Sequence, residues 1–265
     1  MGQQLKVLGL VGAGVMGMGI AQIAAQAGVA VRVFDVREGG AAEGCRKLAD
    51  TLAKLQQKGK LTEAQVADAV AQVRPVGALA DLAGCDVVVE AIVEKLEAKQ
   101  ALFAELEGLV APDCVLATNT SSLSVTAIAA GLKSPERVAG FHFFNPVPLM
   151  KVVEVIDGLL TDRAVTDALL ELGRRMGHTA VRAKDTPGFI VNHAGRGYNT
   201  EALRIVQEGI CEVPDADRVL REVAGFVLGP FELMDMTALD VSHPVMESIY
   251  HQYYEEPRYR PNPLT

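Results

Sequence analysis

Residues 5–35 read LKVLGLVGAGVMGMGIAQIAAQAGVAVRVFD, and this stretch decides how the chain folds. Two β-rich pieces, Leu5–Val11 and Val29–Phe34, flank a segment of small residues, Val15–Ala27. The pattern predicts a strand, a turn, a helix and a second strand. Because the stretch is almost uncharged, a membrane helix or a signal peptide is the alternative. Its repeated glycines favour a buried strand–turn–helix–strand unit instead.

The turn of this unit is a Gly-x-Gly-x-x-Gly motif, GAGVMG, at residues 12–17. Gly12 permits a tight turn, Gly14 lets the backbone approach a pyrophosphate, and Gly17 lets the helix pack close to the strand. The helix that begins with Val15 and Met16 offers unpaired N–H groups and the positive end of its dipole to phosphates. A motif in this context predicts a dinucleotide site.

Asp35 ends the second predicted strand. A carboxylate there accepts hydrogen bonds from the ribose hydroxyls of adenosine and repels a 2′-phosphate, which favours NAD over NADP. Arg37 lies close by and would favour the phosphate, and a solvated turn residue is the other interpretation of Asp35.

Composition and charge narrow the class of protein. The chain has 265 residues, of which 49% are hydrophobic and 22% charged, and its net charge is −8. A globular protein of one or two domains is expected, with neither nucleic acid nor an anionic membrane as its main partner. The four cysteines are scattered without metal-ligand spacing. We therefore expect a reduced, cytoplasmic compartment and no metal.

Strands and helices alternate through the first two thirds of the chain and give way to helices after Lys184–Gly188. This order predicts an α/β fold, a Rossmann-type doubly wound sheet at residues 1–186, followed by a smaller all-α domain at 187–265. The further strands are Val73–Val76, Asp86–Ile92, Cys114–Thr118, Arg137–Phe144, Val152–Ile156 and His178–Arg182. The further helices are Glu38–Gln57, Glu63–Gln72, Leu96–Leu109, Asp162–Met176, Phe189–Glu208, Asp215–Val223 and Phe231–Leu239.

Candidate site residues stand at or just beyond the carboxyl ends of the predicted strands. They are Gly12, Asp35, Glu90, Ser121 and His142, and ligands bind at this edge of a doubly wound sheet. We expect these residues to converge on one crevice. Helix capping and structural hydrogen bonds are the alternatives for Glu90 and Ser121.

The segment AGFHFFNPVPLMKVVEVI, residues 139–156, contains His142 and Glu154. An antiparallel hairpin centred near Pro148 pairs residues whose numbers sum to about 296, which matches these two. A carboxylate facing an imidazole fixes the ring tautomer and stabilises the protonated ring, as a general acid/base requires. A buried histidine with an incidental glutamate is the alternative.

A basic stripe lies on the predicted helix Glu38–Gln57 and its end. Lys47, Thr51, Lys54 and Lys58 fall on one helical face. The stripe could hold a polyphosphate, and a solvated face is the alternative.

Taken together, these motifs resemble the L-3-hydroxyacyl-CoA dehydrogenases, also called 3-hydroxybutyryl-CoA dehydrogenases. The resemblance covers nearly the whole chain, and its most specific pieces are HFFNP and DTPGFIVN. Others are GLVGAGVMGMGIA, VVVEAIVEKLEAKQALF, ATNTSSLSVTAIA and LGPFELMDMTALD. Within the family, the chain resembles bacterial members of phenylacetate degradation that act on 3-hydroxyadipyl-CoA.

The resemblance assigns roles residue by residue. It implies that His142 is the catalytic base, oriented by Glu154, that Ser121 binds the 3-oxygen of the substrate beside the nicotinamide, and that Asn192 closes the site from the helical domain. It also implies NAD contacts at Glu90, Lys95 and Asn145, and a CoA site on the helical hairpin 38–72 that includes Thr51 and Lys58.

The resemblance further implies an acyl-CoA substrate and a homodimer formed by the helical domain. Two features depart from the family. His193 stands where many relatives have Arg, and the chain stops at Thr265, where members usually continue into a final helix and a basic Gly-rich tail. We therefore expect a truncated C-terminus.

Two other functions stay open. One is a Rossmann β-hydroxyacid dehydrogenase that acts on a substrate without CoA, and the other is a non-catalytic NAD-binding protein. The His142–Glu154 hairpin speaks against the first, because that class relies on a catalytic lysine, and the complete set of site residues speaks against the second.

Overall fold

A computed structural model describes residues 5–265. The chain divides into two compact units, one ending at Asp185 and the other beginning at Thr186. Among the described residues, no helix is both long enough and apolar enough to cross a membrane.

The first unit is built on one sheet of eight strands. The strands are β1 (Val7–Val11), β2 (Ala30–Phe34), β3 (Val73–Pro75), β4 (Val87–Glu90), β5 (Val115–Thr118), β6 (Val138–Phe143), β7 (Val152–Asp157) and β8 (Thr179–Lys184). The helices are α1 (Val15–Gln26), α2 (Gly40–Gln57), α3 (Glu63–Gln72), α4 (Leu96–Leu109), α5 (Val125–Ala129) and α6 (Arg163–Arg175).

The strand order is β3-β2-β1-β4-β5-β6-β7-β8. The first six strands in this order run parallel, and β7 runs antiparallel to β6. The order changes direction between β1 and β4, which is the switch point of a doubly wound sheet. The predicted Rossmann-type sheet is therefore confirmed.

The central strands are apolar on both sides, since helices cover both faces of the sheet. Every residue of β4, β5 and β6 is buried. This burial explains the runs of β-branched residues that predicted these strands.

Helices α2 and α3 form the predicted helical hairpin. Thr62 and Gln65 make a capping box at the start of α3, in which the Thr62 hydroxyl accepts from the Gln65 N–H and the Gln65 side chain accepts from the Thr62 N–H. The hairpin packs on α1 and on the strands next to it.

The second unit contains four helices in the part of the chain that the structure describes. They are α7 (Val191–Gln207), α8 (Val213–Glu222), α9 (Pro230–Thr237) and α10 (Leu239–Gln252). The first three were predicted with slightly different ends. Helix α10 was not predicted, because Pro244 interrupts its apolar pattern.

The start of α7 differs from the prediction. Phe189 was expected to open the helix, but a turn occupies this position, with the Phe189 N–H donating to the Thr186 carbonyl at 2.8 Å. Gly188 and Phe189 both have positive φ angles, which a continuous helix excludes. The helix begins only at Val191, so Asn192 lies in its first turn.

Candidate active site

The carboxyl edge of the sheet brings the predicted strand-end residues into one connected row. The Ala13 N–H after β1 donates to Asp35 Oδ2 after β2 at 2.7 Å. The Asn119 N–H after β5 donates to the carbonyl of Glu90 at the end of β4 at 2.8 Å, and Asn119 Oδ1 accepts from the Phe143 N–H at 2.9 Å. These contacts place the strand ends from β2 to β6 in one row, and the convergence of the site residues on one crevice stays a prediction.

The glycine motif has the geometry that its spacing predicts. Gly12 has a φ of +104°, and a Cβ there would stand 2.5 Å from the Ala91 carbonyl oxygen. A Cβ on Gly17 would stand 1.9 Å from the Gly12 carbonyl oxygen, so the helix can only approach the turn without one. A Cβ on Gly14 would meet no atom within 4 Å. The space beside Gly14 is therefore open for a ligand.

Asp35 supports the turn as well as facing the edge. Its Oδ1 accepts from the Arg37 N–H at 2.8 Å, while Oδ2 accepts from Ala13. The Arg37 side chain turns to Glu43, which it contacts at 2.7 Å, and this contact raises the pKa of Arg37. The Arg37 side chain is 63% exposed and lines the cleft beside the glycine motif, so the alternative of a 2′-phosphate stays open.

A cleft of about 530 Å³ runs from the glycine motif to helix α2. Gly14 and Val15 line it on one side, Lys47 and Thr51 on the other, and Asn145 at the end of the β6–β7 hairpin. The cleft joins predicted cofactor and CoA residues. Lys54 and Lys58 are exposed further along the same helix and do not line it.

The His142–Glu154 pair is present as predicted. The register pairs His142 with Glu154 and Phe141 with Val155, which is the expected sum. His142 Nδ1 lies 2.7 Å from Glu154 Oε2, and the two residues are 4% and 0% exposed. The contact assigns Nδ1 to the carboxylate, so that the pair fixes the ring orientation.

Ser121 follows β5 in a loop that Glu94 holds. Glu94 Oε1 accepts from the Ser121 N–H at 2.8 Å, from the Ser122 N–H at 3.1 Å and from the Thr120 hydroxyl at 2.6 Å. The Ser121 hydroxyl lies 3.3 Å from the same oxygen. Glu94 was not predicted as a site residue.

Burial on its own would raise the pKa of Glu94, but Lys99 and the hydrogen bonds from Thr120 and Ser121 outweigh it. The pKa of Glu94 therefore lies below its ordinary value, and the carboxylate stays charged beside Ser121.

Glu90 is occupied by protein partners. Its Oε1 accepts from Lys99 Nζ at 2.6 Å and from the Ile92 N–H at 2.7 Å, and its Oε2 accepts from the Thr118 hydroxyl at 2.7 Å. Glu90 and Lys99 are 0% and 1% exposed. The structural interpretation of the Glu90 side chain accounts for all these contacts, and its contact with NAD stays a prediction.

The remaining predicted residues lie at the edges of this arrangement. Lys95 is exposed at the N-cap of α4, without a side-chain cap. Met16 is half-buried behind the glycine motif. Asn192 belongs to the second unit, where its Oδ1 accepts from Arg196 Nη2 at 3.4 Å. Within residues 5–265 no group of His, Cys, Asp and Glu could hold a metal ion.

Lys99 and Glu94 escaped prediction because the sequence shows them as two more charges on an amphipathic helix. One signal was available. Lys99 follows Glu90 and Glu94 in VEAIVEKLEAK, where α4 returns along the sheet and must bury one face.

Comparison with known proteins agrees with this geometry. The NAD-binding domain of 3-hydroxyacyl-CoA dehydrogenase matches residues 7–186, and the C-terminal domain of the same family matches residues 188–265. The chain is 42% identical over 262 residues to 3-hydroxyadipyl-CoA dehydrogenase of Escherichia coli. It is 40% identical over 261 residues to a probable 3-hydroxybutyryl-CoA dehydrogenase of Bacillus subtilis.

A crystal structure of 3-hydroxybutyryl-CoA dehydrogenase from Escherichia coli superposes with a TM-score of 0.96 at 40% identity, covering 99% of this chain and 56% of that one. The coverage differs among relatives. The alignment includes 97% of this chain but only 54% of the Escherichia coli relative, so the chain spans about half of that protein. The alignment with the Bacillus subtilis relative includes 98% of this chain and 91% of that protein. Both domain matches and the shared fold lead to one conclusion: the chain belongs to the 3-hydroxyacyl-CoA dehydrogenase family, and its first unit is the NAD-binding domain.

Proposed function

We propose that the chain catalyses the NAD-dependent oxidation of a (3S)-3-hydroxyacyl-CoA to the 3-ketoacyl-CoA. The observation that carries the proposal is the buried His142–Glu154 pair, 2.7 Å apart, on the sheet edge that also holds the glycine motif. A dinucleotide-binding turn alone would suit many proteins, whereas a histidine fixed by a carboxylate beside it suits proton transfer.

His142 is the proposed general base. Nδ1 is engaged by Glu154, so Nε2 takes the proton of the 3-hydroxyl group as the hydride leaves C3. When bound, NAD supplies the hydride acceptor. The buried carboxylate of Glu154 stabilises the imidazolium, because a charge pair is stronger where water is excluded. In the reverse direction the protonated ring returns the proton to the ketone oxygen.

Ser121 and Asn192 are the proposed ligands of the substrate oxygens. Glu94 fixes the main chain of Ser121 and Ser122 from one carboxylate oxygen, which limits where the Ser121 hydroxyl can stand. Positioning of this kind reduces the entropy lost on reaching the transition state.

The proposed cofactor contacts follow the edge of the sheet. Gly12, Gly14, Val15, Met16 and Gly17 surround the pyrophosphate. Asp35 holds the adenosine ribose, while Glu90, Lys95, Asn145 and Ser121 lie along the nicotinamide half. The open space at Gly14 supports this arrangement, since a dinucleotide phosphate needs close access to the backbone there.

The proposed CoA contacts are Thr51, Lys54 and Lys58 on the helical hairpin. Thr51 lines the same cleft as Gly14, and the two lysines are exposed on the helix beyond it. We further propose a homodimer formed through the second unit. The relatives' names suggest two acyl groups, 3-hydroxybutyryl and 3-hydroxyadipyl, and a role in phenylacetate catabolism would require the second.

The test of the proposal is NADH oxidation with acetoacetyl-CoA, run beside 3-ketoadipyl-CoA. Turnover establishes the reaction, and the ratio of kcat/KM ranks the two acyl groups. His142→Gln should lower kcat by about 10²–10⁴-fold, the usual contribution of general acid/base catalysis, with the Kd for NADH unchanged. Near-normal turnover by this variant would remove His142 from the mechanism, and NADH binding without any turnover would favour a non-catalytic protein.

A further inference from the structure

Arg196 is a cation without an anion. It lies on α7, and its Nε atom is buried with no hydrogen-bond partner in the described structure. Nη1 donates to the Ser242 carbonyl and Nη2 to Asn192 Oδ1, both at the long distance of 3.4 Å. Within the described second unit it forms no ion pair, whereas Arg204 on the same helix contacts Glu201 at 3.2 Å.

The protein itself leaves polar atoms around Arg196 without hydrogen-bond partners in the described residues. Burial lowers the pKa of Arg196, because desolvation disfavours the charged guanidinium. Beside it, the hydroxyl of Ser242 is also buried and without a partner in the described structure. Buried donors that lack acceptors are rare in folded proteins. A guanidinium and a hydroxyl that both need an acceptor suit a carboxylate, which can accept two hydrogen bonds from arginine.

The position of Arg196 indicates which carboxylate. Asn192 precedes it by one helical turn on the same face, and the two side chains are in contact. In the proposed function, on which this inference rests, Asn192 holds the 3-oxygen of the substrate. An anion at Arg196 must then lie only a few ångströms from C3 of the acyl chain.

Chain length can be compared with this distance. In a six-carbon dicarboxylic acyl group, three carbon–carbon bonds of about 1.5 Å separate C3 from the terminal carboxyl carbon, a span of about 4 Å when extended. The guanidinium stands 3.4 Å from Asn192 Oδ1, so one acyl chain could reach both groups. A butyryl chain ends one carbon after C3 and offers no anion.

We propose that Arg196 binds the distal carboxylate of a 3-hydroxyacyl-CoA whose acyl chain carries that group three carbons beyond C3, with the Ser242 hydroxyl as a second donor. Arg196 is then a specificity-determining residue, and dicarboxylic acyl-CoA esters are the preferred substrate class.

The test compares two substrates of equal length. In NADH-dependent reduction, 3-ketoadipyl-CoA ends in a carboxylate and 3-ketohexanoyl-CoA in a methyl group. The wild type should favour the first in kcat/KM by about 10- to 100-fold, the range for a hydrogen bond to a charged group. Arg196→Met should abolish or reverse this preference, and Arg196→Lys should keep part of it. Arg204→Gln, on the exposed and paired arginine, should leave the ratio unchanged.

A binding measurement separates this inference from the reaction. The Kd of both esters is measured with NADH present in His142→Gln and in His142→Gln/Arg196→Met. Selective binding that disappears with Arg196 supports the assignment even if the wild type turns over neither ester, in which case only the proposed reaction fails. Turnover of both esters with equal kcat/KM and equal Kd leaves the reaction standing and overturns the role of Arg196.

Two further results also overturn it. One is an equal loss for both esters in Arg196→Met, which indicates a structural role. The other is a loss of NADH affinity in Arg196→Met that is as large as its loss of affinity for 3-ketoadipyl-CoA. That result would assign the guanidinium to a cofactor phosphate. Thermal unfolding of Arg196→Met guards against misfolding, and its Tm should not fall, because the variant removes a buried charge that has no partner.

Discussion

Glu154 carries a carboxylate into the interior of the sheet, where His142 is its partner at 2.7 Å. Glu154→Gln keeps the size and an oxygen that accepts from Nδ1, but it removes the charge that stabilises the imidazolium. We expect kcat with acetoacetyl-CoA to fall by about 10²–10⁴-fold, as when a charged partner of a catalytic histidine becomes an amide. Steady-state kinetics measure the change, and the Kd for NADH should stay the same.

Asp157→Asn supplies the matched control for this substitution. Asp157 is the last residue of the same strand, but it is half-buried and pairs with Arg182 at 3.0 Å. The control should retain wild-type kcat. An equal fall of kcat in both variants would mean that removing either carboxylate charge from strand β7 disturbs the protein in the same way. The proposed role of Glu154 would then lose its support.

Glu94 gives stability a defined dependence on pH. Its folded pKa lies below the ordinary value of 4.5, because Lys99 and the Thr120 and Ser121 hydrogen bonds outweigh the effect of burial. The unfolded chain therefore binds more protons between the two pKa values, and stability rises with pH there. The contribution is complete above about pH 4.5 and is lost as the pH falls through the folded pKa.

Glu94→Gln should reveal that contribution. Since about a third of the Glu94 side chain is exposed (35%), we expect a loss of only about 1 kcal/mol of unfolding free energy at pH 7. Urea denaturation at pH 7 and near pH 3 measures it, and the difference from wild type should be smaller at the lower pH, where the unfolded chain is protonated at this position. A difference that is independent of pH would attribute the loss to packing instead of charge.

Among individual residues, the sequence predicts contacts that are fixed by residue spacing and misses contacts that depend on tertiary packing. The His142–Glu154 contact follows from strand register alone, because the period of a strand is fixed and the turn sets the sum. Glu94 and Lys99 depend on where α4 returns across the sheet, which no local spacing determines. The helix that carries Asn192 was predicted, but the turn at Gly188 and Phe189 before it was not, since it uses positive φ at a phenylalanine.

The strand–turn–helix element allows two glycines to be compared. Gly14→Ala should fold normally, because Gly14 has a φ of −73° and its new Cβ meets nothing. Its methyl group would instead occupy the space predicted for the pyrophosphate. We expect the Tm to stay within about 1 °C and the Kd for NADH to rise at least about tenfold, measured by thermal unfolding and fluorescence titration.

Gly17→Ala should instead lower the stability of the fold, measured as a fall in Tm. Its Cβ would lie 1.9 Å from the Gly12 carbonyl oxygen, so α1 must move away from the turn. Overpacking of this kind lowers the free energy of unfolding by about 1–3 kcal/mol. The atom in contact here is a main-chain oxygen, which cannot move aside as a flexible side chain could. A stable Gly17→Ala variant with normal NADH affinity would contradict the close approach that the structure shows.

Helix α4 is anchored by a buried charge. Lys99→Met removes the cation from Glu90, whose carboxylate is fully buried. Breaking a buried pair from one side costs about 3–5 kcal/mol, because the remaining carboxylate has lost its cation and keeps only the neutral donors of Ile92 and Thr118. Chemical denaturation should show this loss, while Lys95→Met at the exposed start of the helix should change stability by no more than about 0.5 kcal/mol. Similar effects of both substitutions would show that the ion pair contributes little.

Across the whole molecule, prediction succeeds where periodicity is strong and fails where tertiary packing decides. The alternating strands and helices give the doubly wound sheet, and its edge brings residues from β1, β2, β4, β5 and β6 into one row. Helix α10 and the short helix α5 were missed, since Pro244 disturbs the pattern of the first and the second has only five residues. Arg196 could not be evaluated from sequence, because only the structure shows that its Nε atom is buried and has no hydrogen-bond partner among residues 5–265.

The net charge of −8 poses an electrostatic problem for a protein that is proposed to bind CoA, an anionic ligand. The exposed Lys54 and Lys58 on the helical hairpin would offset it locally, and salt would screen exposed charges of this kind. Lys54→Gln/Lys58→Gln should raise KM for acetoacetyl-CoA at about 0.05 M salt, and the difference from wild type should shrink at about 0.5 M salt. The corresponding acetoacetyl-pantetheine ester lacks the phosphorylated nucleotide, so its KM should be equal in both proteins, and Lys133→Gln should match wild type with either ester. An equal rise of KM for the CoA and pantetheine esters would place these lysines away from the nucleotide and leave the solvated face as the better interpretation of the stripe.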